Sequence, residues 1–373
     1  MNAPHPAPPG GLAPTPEQEE LRDAVRAVLA RHPGHAAWAP LTAQVGAAAL
    51  AVPEEYGGLG CGAAETGVVM AELGRALSPV PYLGSAVLTV QALLASGHRA
   101  ACAEHLPGLA DGSVVGALAW AESGPGGRGS WEPADLETRA EAAADTGTGT
   151  GTGLLLTGAK RYVLAGPAEP ALLLAFARTG DGGLGLFELT APPASFTVRA
   201  TLDPSRPLAE LTLDRTPARL LSADGTGVLA RVRDLACTAL AAEQAGAAGR
   251  ALEATVRYAK ERTQFGRPIG SFQAVKHRLA DLYTAVEAAR GLALAAAAAD
   301  APPDLAAAAA SACGEAYAYA AGEMIQLHGG IGITWEHEAH TFFKRAHGSA
   351  QLLGGPAAHR RRLASHLGWV SAS

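Results

Sequence analysis

Aromatic residues are scarce in this chain, 5% of its 373 positions, although hydrophobic residues make up 48%. A core with so few rings and so much alanine implies tightly packed small-residue helices and not disorder. Cysteine is scarce too. Cys61, Cys102, Cys237 and Cys313 are scattered, without the paired spacing of a zinc site or a disulfide framework. A reducing cytoplasm is the simplest home for such a chain. Positive charge is not in excess, the formal net charge being -6. A phosphate backbone demands a basic surface, so nucleic acid is excluded as the main partner. A membrane-spanning run is missing as well: the alanine-rich stretch Leu292 to Ala312 is interrupted by Asp300, Pro302, Pro303 and Asp304. The opening MNAPHPAPPGGLAPTP has neither an apolar segment nor a charged leader, so it reads as a flexible tail and not as a signal peptide.

What is present is organised in blocks. A chain of this length holds more than one domain. Thr15 to Ala30 reads as an amphipathic helix capped by Thr15, with Glu17 and Gln18 in its first turn. VPEEYGGLGCG, Val52 to Gly62, reads as a loop before a helix from Ala64 to Leu77, and helices continue to about Leu109. From Gly116 to about Arg219 short β-branched and leucine runs alternate with glycine and aspartate, the texture of a small β domain. Within it TGTGTGTG, Thr146 to Gly153, reads as an exposed, mobile hairpin tip and not as a phosphate loop. Helices resume from about Ala230. The expected class is α+β, with a tail over 1–14, a helical domain over 15–112, a β domain over 113–228 and a four-helix bundle over 229–373.

The C-terminal block carries the most informative stretch, RYAKERTQFGRPIGSFQAVKHRLADLY from Arg257 to Tyr283. Asp234 to Lys260, proline-free and rich in Ala, Leu and Glu, is expected to be one long helix. Leu235, Ala239, Ala242, Ala245, Leu252 and Val256 form its apolar stripe, and Gly246 and Gly249 would permit close approach. Gly266, Pro268 and Gly270 break it, and Ser271 is a plausible N-cap for the next helix, which opens with Gln273. The turn offers Arg262, Gln264 and Phe265: a fixed cation with forked donors, an amide and a ring, which suit a pyrophosphate and an aromatic base. The turn by itself is equally compatible with an ordinary helical hairpin bearing a solvated arginine.

A second element, QLHGGIGITWEH, follows at Gln326 to His337, and with it the sequence resembles the acyl-CoA dehydrogenase family over nearly its whole length. The resemblance implies the fold of that family, with FAD as cofactor. It implies an acyl-CoA or other acyl thioester as substrate, an electron-transfer flavoprotein or similar acceptor, a place in lipid metabolism, and a dimeric or tetrameric assembly. In the family the R-x-Q-F-G turn crosses a subunit interface to the diphosphate and adenosine of FAD, which maps onto Arg262, Gln264 and Phe265, with Gln273 following. The Q-x-x-G-G-x-G element maps onto Gln326, Gly329, Gly330 and Gly332, glycines that let the backbone approach a phosphate.

The chemistry departs from the family pattern. Acyl-CoA dehydrogenases remove the α-proton of a thioester with a carboxylate while the β-hydrogen leaves as hydride to the flavin. In one subgroup that glutamate lies in a Y-E-G-T segment, where this chain has Leu353, Gly354, Gly355 and Pro356, so Gly354 stands at the base position. In another it lies about thirty residues before the F-G of the turn, which is Ala236 here. Glu243, on the same helix face as Ala236 but about 10 Å along the axis, is a candidate substitute or a buried structural glutamate. Asp234 matches a position near CoA, or is a favourable residue at a helix start. Where relatives have T-E-P this chain has Ala121, Glu122 and Ser123, and where they have W-I-T it has Tyr162, Val163 and Leu164, which loses a threonine hydroxyl beside the flavin.

His328, His337, His340 and His347 cluster late in the chain, and His337 and His340 at i, i+3 could face one ligand, but no third ligand has metal-site spacing, and no metal is expected. HRRR, His359 to Arg362, reads as a solvated helix face or a partner for acidic groups at a subunit contact. Two functions of different class follow: an FAD-dependent acyl-CoA dehydrogenase with a displaced or borrowed base, and a non-catalytic, flavin-supporting subunit of a hetero-tetramer with a paralogous chain that carries the glutamate.

Overall fold

The computed structural model describes residues 12–124, 129–142, 153–166 and 168–370; most of the TGTGTGTG repeat and nearly all of the N-terminal tail lie outside them. Contacts divide the chain into two compact units. One comprises Met1–Gly34, Gly62–Ser78 and Cys237–Ser373, the other His35–Cys61 and Pro79–Ala236. In chain order the elements are helices, then strands, then helices, as the sequence leads one to expect.

The first unit is helical. Its α1 (Pro16–Arg31) starts from the capping box legible in the sequence: Thr15 Oγ1 accepts the Gln18 N–H and Gln18 Oε1 accepts the Thr15 N–H. The helix Trp38–Ala43 (α2) belongs to the second unit, and α3 (Ala63–Arg75) returns to the first. Two further helices of the second unit, α4 (Val90–Ser96) and α5 (Arg99–Ala110), precede the strands. After them come α6 (Gly225–Glu261), α7 (Gln273–Ala298), α8 (Pro303–His328), α9 (Ala339–Ser349) and α10 (Pro356–His366).

The bundle core is alanine. Ala247, Ala251, Leu282, Val286, Ala320, Met324 and Phe342 form one buried cluster, and Ala241, Ala289, Ala293, Ala309 and Cys313 another. Such small side chains let helices touch backbone to backbone. A Cβ on Gly246 would lie 2.1 Å from Ala71 O, and one on Gly74 would lie 2.0 Å from Glu243 O, so α3 rests directly on α6 at both glycines. Gly249 makes no such contact, its nearest neighbour being Arg75 Nη1 at 3.8 Å. Nor is α6 packed along one stripe only. From Val232 to Ala248 almost every residue is buried, polar ones included, because alanine on all sides leaves no broad polar face. Among the described residues no helix is long and apolar enough to cross a membrane.

The second unit is built on strands β1 (Gly116–Ala119), β2 (Glu122–Ser123), β3 (Gly129–Ser130), β4 (Arg139–Ala142), β5 (Leu154–Val163), β6 (Leu172–Arg178), β7 (Leu184–Leu189), β8 (Ser195–Arg199) and β9 (Leu208–Ser222). The pairing runs β6–β4–β5–β9–β7 and returns from β7 to β6, which closes these five strands on themselves. β1 adds parallel to β6, and β8 antiparallel to β9. Leu156, Val163, Leu173, Phe187 and Leu211 fill the interior.

Candidate functional site

At the C-terminal end of α6 the chain reverses through a hairpin of β10 (Thr263–Gln264) and β11 (Arg267–Pro268). Thr263 faces Pro268 and Gln264 faces Arg267, which leaves Phe265 and Gly266 as the two-residue loop, with φ +52° and +76°. Positive φ at both loop residues is what a tight hairpin with the strands' own twist requires. Glycine adopts it freely. A phenylalanine held there costs on the order of 1–3 kcal/mol, a strain that concentrates at functional sites. Its ring is 92% exposed, touching Phe272 edge-on at 6.2 Å. Arg262, Gln264 and Phe265 thus stand on an arm that projects from the bundle, every residue from Arg262 to Pro268 exposed.

Ser271 does not cap α7. Phe272 holds the cap position with no side-chain bond, while Ser271 Oγ donates to Pro268 O at 2.7 Å and closes the 3-10 turn Ile269–Ser271. Gln273 is the first residue of α7.

The glycine element lies at the same end. Gln326 is in the last turn of α8, Gly329 follows at φ +61°, and Gly329–Ile333 form a 3-10 turn. A side chain on Gly330 would meet nothing within 4 Å, whereas one on Gly332 would press on Ile325 O at 3.0 Å. The arm and this turn are joined by contacts the sequence does not announce. Tyr258, one turn before the arm, stacks on His328 at 4.2 Å, and its hydroxyl donates to His328 O at 3.4 Å. His328 is buried, and burial lowers its pKa below the ordinary 6.5; its Nδ1 pairs with Met324 O at 2.7 Å. His337 Nδ1 accepts the Ala339 N–H ahead of α9. These histidines therefore cap and stack. The described residues show one acid–histidine group close enough for a metal, Glu104, His105 and Glu188, but Arg219 donates to both carboxylates and supplies the counter-charge itself.

The candidate base is differently placed. Glu243 is buried, and its Oε1 accepts from Arg345 Nη1 at 2.8 Å; Arg345, 1% exposed, also donates through Nη2 to Ser78 O at 3.1 Å and Leu77 O at 3.3 Å. Nothing in the spacing around Glu243 points to a partner 102 residues away. Gly354 has φ +103°, a backbone that strains any L side chain, and Ala236 is fully buried. Asp234 is buried and lies in the third turn of α6, because that helix starts at Gly225. The dipole explanation for it is thereby removed. The HRRR run is not simply solvated: His359 is buried, Arg360 bonds Glu315 and Ser311 on α8, and Arg362 donates to Pro303 O.

In the strand unit, Glu122 accepts the N–H groups of Glu137 and Thr138 and the ammonium of Lys160. Lys160 is fully buried, and burial outweighs the carboxylate's attraction, bringing its pKa down to about 8. Tyr162, at φ +55°, stacks on Trp131 at 6.1 Å, and Leu164 is buried.

A helical bundle with a projecting R-x-Q-F-G arm and a glycine turn at one end, in a chain whose middle forms a closed sheet, is the layout of a flavoenzyme class that oxidises acyl thioesters. The chain belongs to the acyl-CoA dehydrogenase family. It matches the acyl-CoA dehydrogenase N-terminal domain over residues 15–113 and the acyl-CoA dehydrogenase C-terminal domain over residues 224–368. It is 42% identical, over 96% of its length and 100% of the relative's, to acyl-CoA dehydrogenase IpdE2 of Mycobacterium tuberculosis. Among solved structures it resembles a protein described as a variant of the Tcur3481-Tcur3483 steroid ACAD, with 32% identity, TM-score 0.80 and coverage of 96% of this chain and 99% of that one. It also resembles the ChsE4-ChsE5 complex from Mycobacterium tuberculosis, with 28% identity, TM-score 0.84 and coverage of 97% and 100%.

Proposed function

We propose that this chain is the flavin-supporting, glutamate-lacking subunit of a hetero-oligomeric FAD-dependent acyl-CoA dehydrogenase, which α,β-dehydrogenates an acyl thioester and passes electrons to an electron-transfer flavoprotein or similar acceptor. One observation carries the reading. Gly354 and Ala236 offer no carboxylate, and the remaining candidate, Glu243, is bound by the buried guanidinium of Arg345. A carboxylate that neutralises a buried arginine cannot take a proton without leaving that charge uncompensated.

The arm supports the second half of the proposal. A strained, 92% exposed Phe265 beside Arg262 and Gln264 touches its own chain through the edge of the Phe272 ring and leaves the rest of its surface open. Reaching a neighbour's FAD gives that surface a use. Arg262 and Gln264 would hold the diphosphate, Phe265 the adenosine, and Gln326 with Gly329, Gly330 and Gly332 would bring backbone N–H groups close to it. FAD, when bound, supplies the hydride acceptor. The residues fit the cofactor at this diphosphate end. Leu164 offers no hydroxyl at the position where relatives place one beside the ring. Two of the solved relatives have names that join two proteins, which agrees with a hetero-oligomer.

The test is the visible absorption spectrum of the chain purified alone and again after co-expression with a glutamate-bearing paralogue. The expected result is little bound flavin alone and a full complement in the complex. A full complement of FAD on the chain alone would overturn the subunit reading in favour of a self-sufficient flavoprotein.

A further inference from the structure

The helical unit holds a cavity of about 1100 Å³ that none of the roles above uses. Its walls are α1, α3, α6 and α7. It arises from the glycine pattern of α6. That helix lies directly on α3 at Gly246, but at Gly249 the nearest α3 atom is the tip of Arg75 at 3.8 Å, and beyond it a trough opens. Leu252, Val256, Val286, Ala293 and Ala297 give it an apolar lining. Cavities of about 300–1,000 Å³ lined in this way hold small molecules.

Its polar side chains are not a sample of the surface. Six cationic side chains line it against four acidic ones, in a chain whose net charge is -6. Arg26 is committed to Glu72, and Arg75 to Glu253. Arg257 and Lys260 are not so committed. They stand three residues apart on α6, Arg257 directly after Val256 and Lys260 one turn beyond it, exposed and without an ion pair among the described residues. Neighbouring cations beside an apolar trough suit an amphiphile with an anionic end, whose charge they pair while its apolar body leaves water.

We propose that this cavity is a binding site for an amphipathic carboxylate, whose apolar body lies along Leu252, Val256 and Val286 and whose anionic end pairs with Arg257 and Lys260. The site lies along α6 just before the arm and uses none of Arg262, Gln264, Phe265 or Gly354, and it requires no dehydrogenation.

The experiment is isothermal titration of the full-length chain with dodecanoate and, separately, with dodecyltrimethylammonium, which has the same tail and the opposite head. The expected result is saturable binding of one dodecanoate per chain, with the ammonium compound at least about tenfold weaker. The double variant Arg257→Glu/Lys260→Glu, altered only at exposed positions, should lower dodecanoate affinity by about tenfold or more. Val68→Trp, which fills the trough from α3, should abolish binding while the melting temperature stays unchanged. Any of four outcomes would overturn the proposal: no saturable binding, equal binding of both head groups, affinity indifferent to both variants, or a change of assembly mass in light scattering on charge reversal. The last would mean that a second chain covers the trough.

Discussion

Glu243→Gln separates the two roles open to this residue. If Glu243 neutralises Arg345, the substitution takes a carboxylate from a guanidinium that is 1% exposed and that also donates to Ser78 O and Leu77 O. Removing one partner of a buried ion pair costs about 3–5 kcal/mol. At about 2–4 °C per kcal/mol for a unit of 150–250 residues, the melting temperature should fall by about 6–20 °C. Arg345→Met should be similarly damaging, since it takes the guanidinium away from a buried carboxylate. The double variant Glu243→Gln/Arg345→Met should be less destabilised than the sum of the two, with a coupling of roughly 1–3 kcal/mol. Differential scanning calorimetry of the four proteins completes the cycle. An unchanged melting temperature in Glu243→Gln, together with complete loss of turnover, would refute this reasoning and make Glu243 the base.

Two further outcomes follow from the packing and the titration. Gly246→Ala would place a Cβ 2.1 Å from Ala71 O and should destabilise by at least about 1–3 kcal/mol, the range for overpacking. Gly249→Ala, with only a 3.8 Å contact, should be neutral or gain up to about 1 kcal/mol of helix propensity, both read by chemical denaturation. His328 has a folded-state pKa depressed by burial below 6.5, as has His340, so the unfolded chain binds more protons in the window just under pH 6.5. Stability from these groups is complete above that window and is lost as pH falls through it, with a slope of at most about 1.4 kcal/mol per pH unit for each. Melting curves across the window should show His328→Gln flattening that slope; an identical slope in the variant would contradict the assignment.

The parts of this molecule that were legible in its sequence are those set by local chemistry. Thr15, Pro16 and Gln18 announce a helix start because the capping box is completed within four residues. The break after Glu261 is visible in Gly266, Pro268 and Gly270, and the strands of the middle block in their β-branched texture. What stayed hidden depends on residues far apart in the chain. Arg345 as the partner of Glu243, Tyr258 stacked on His328, and the return of β7 to β6 leave no trace in spacing. Alanine hides more, since a helix such as α6 has little hydrophobic contrast to say which face is buried. Ser271 misled for a related reason: a serine before a helix is a good cap, but here the preceding 3-10 turn claims its hydroxyl.

The account's central claim is that this chain supports a flavin without supplying the base. The most direct measurement is turnover of straight-chain acyl-CoA thioesters by the chain purified alone, assayed with excess free FAD and an artificial electron acceptor. Loss of a general base costs about 10²- to 10⁴-fold, so the account predicts at most weak dehydrogenation, and ordinary rates once a glutamate-bearing partner chain is added. Ordinary enzyme rates from the chain alone would contradict it.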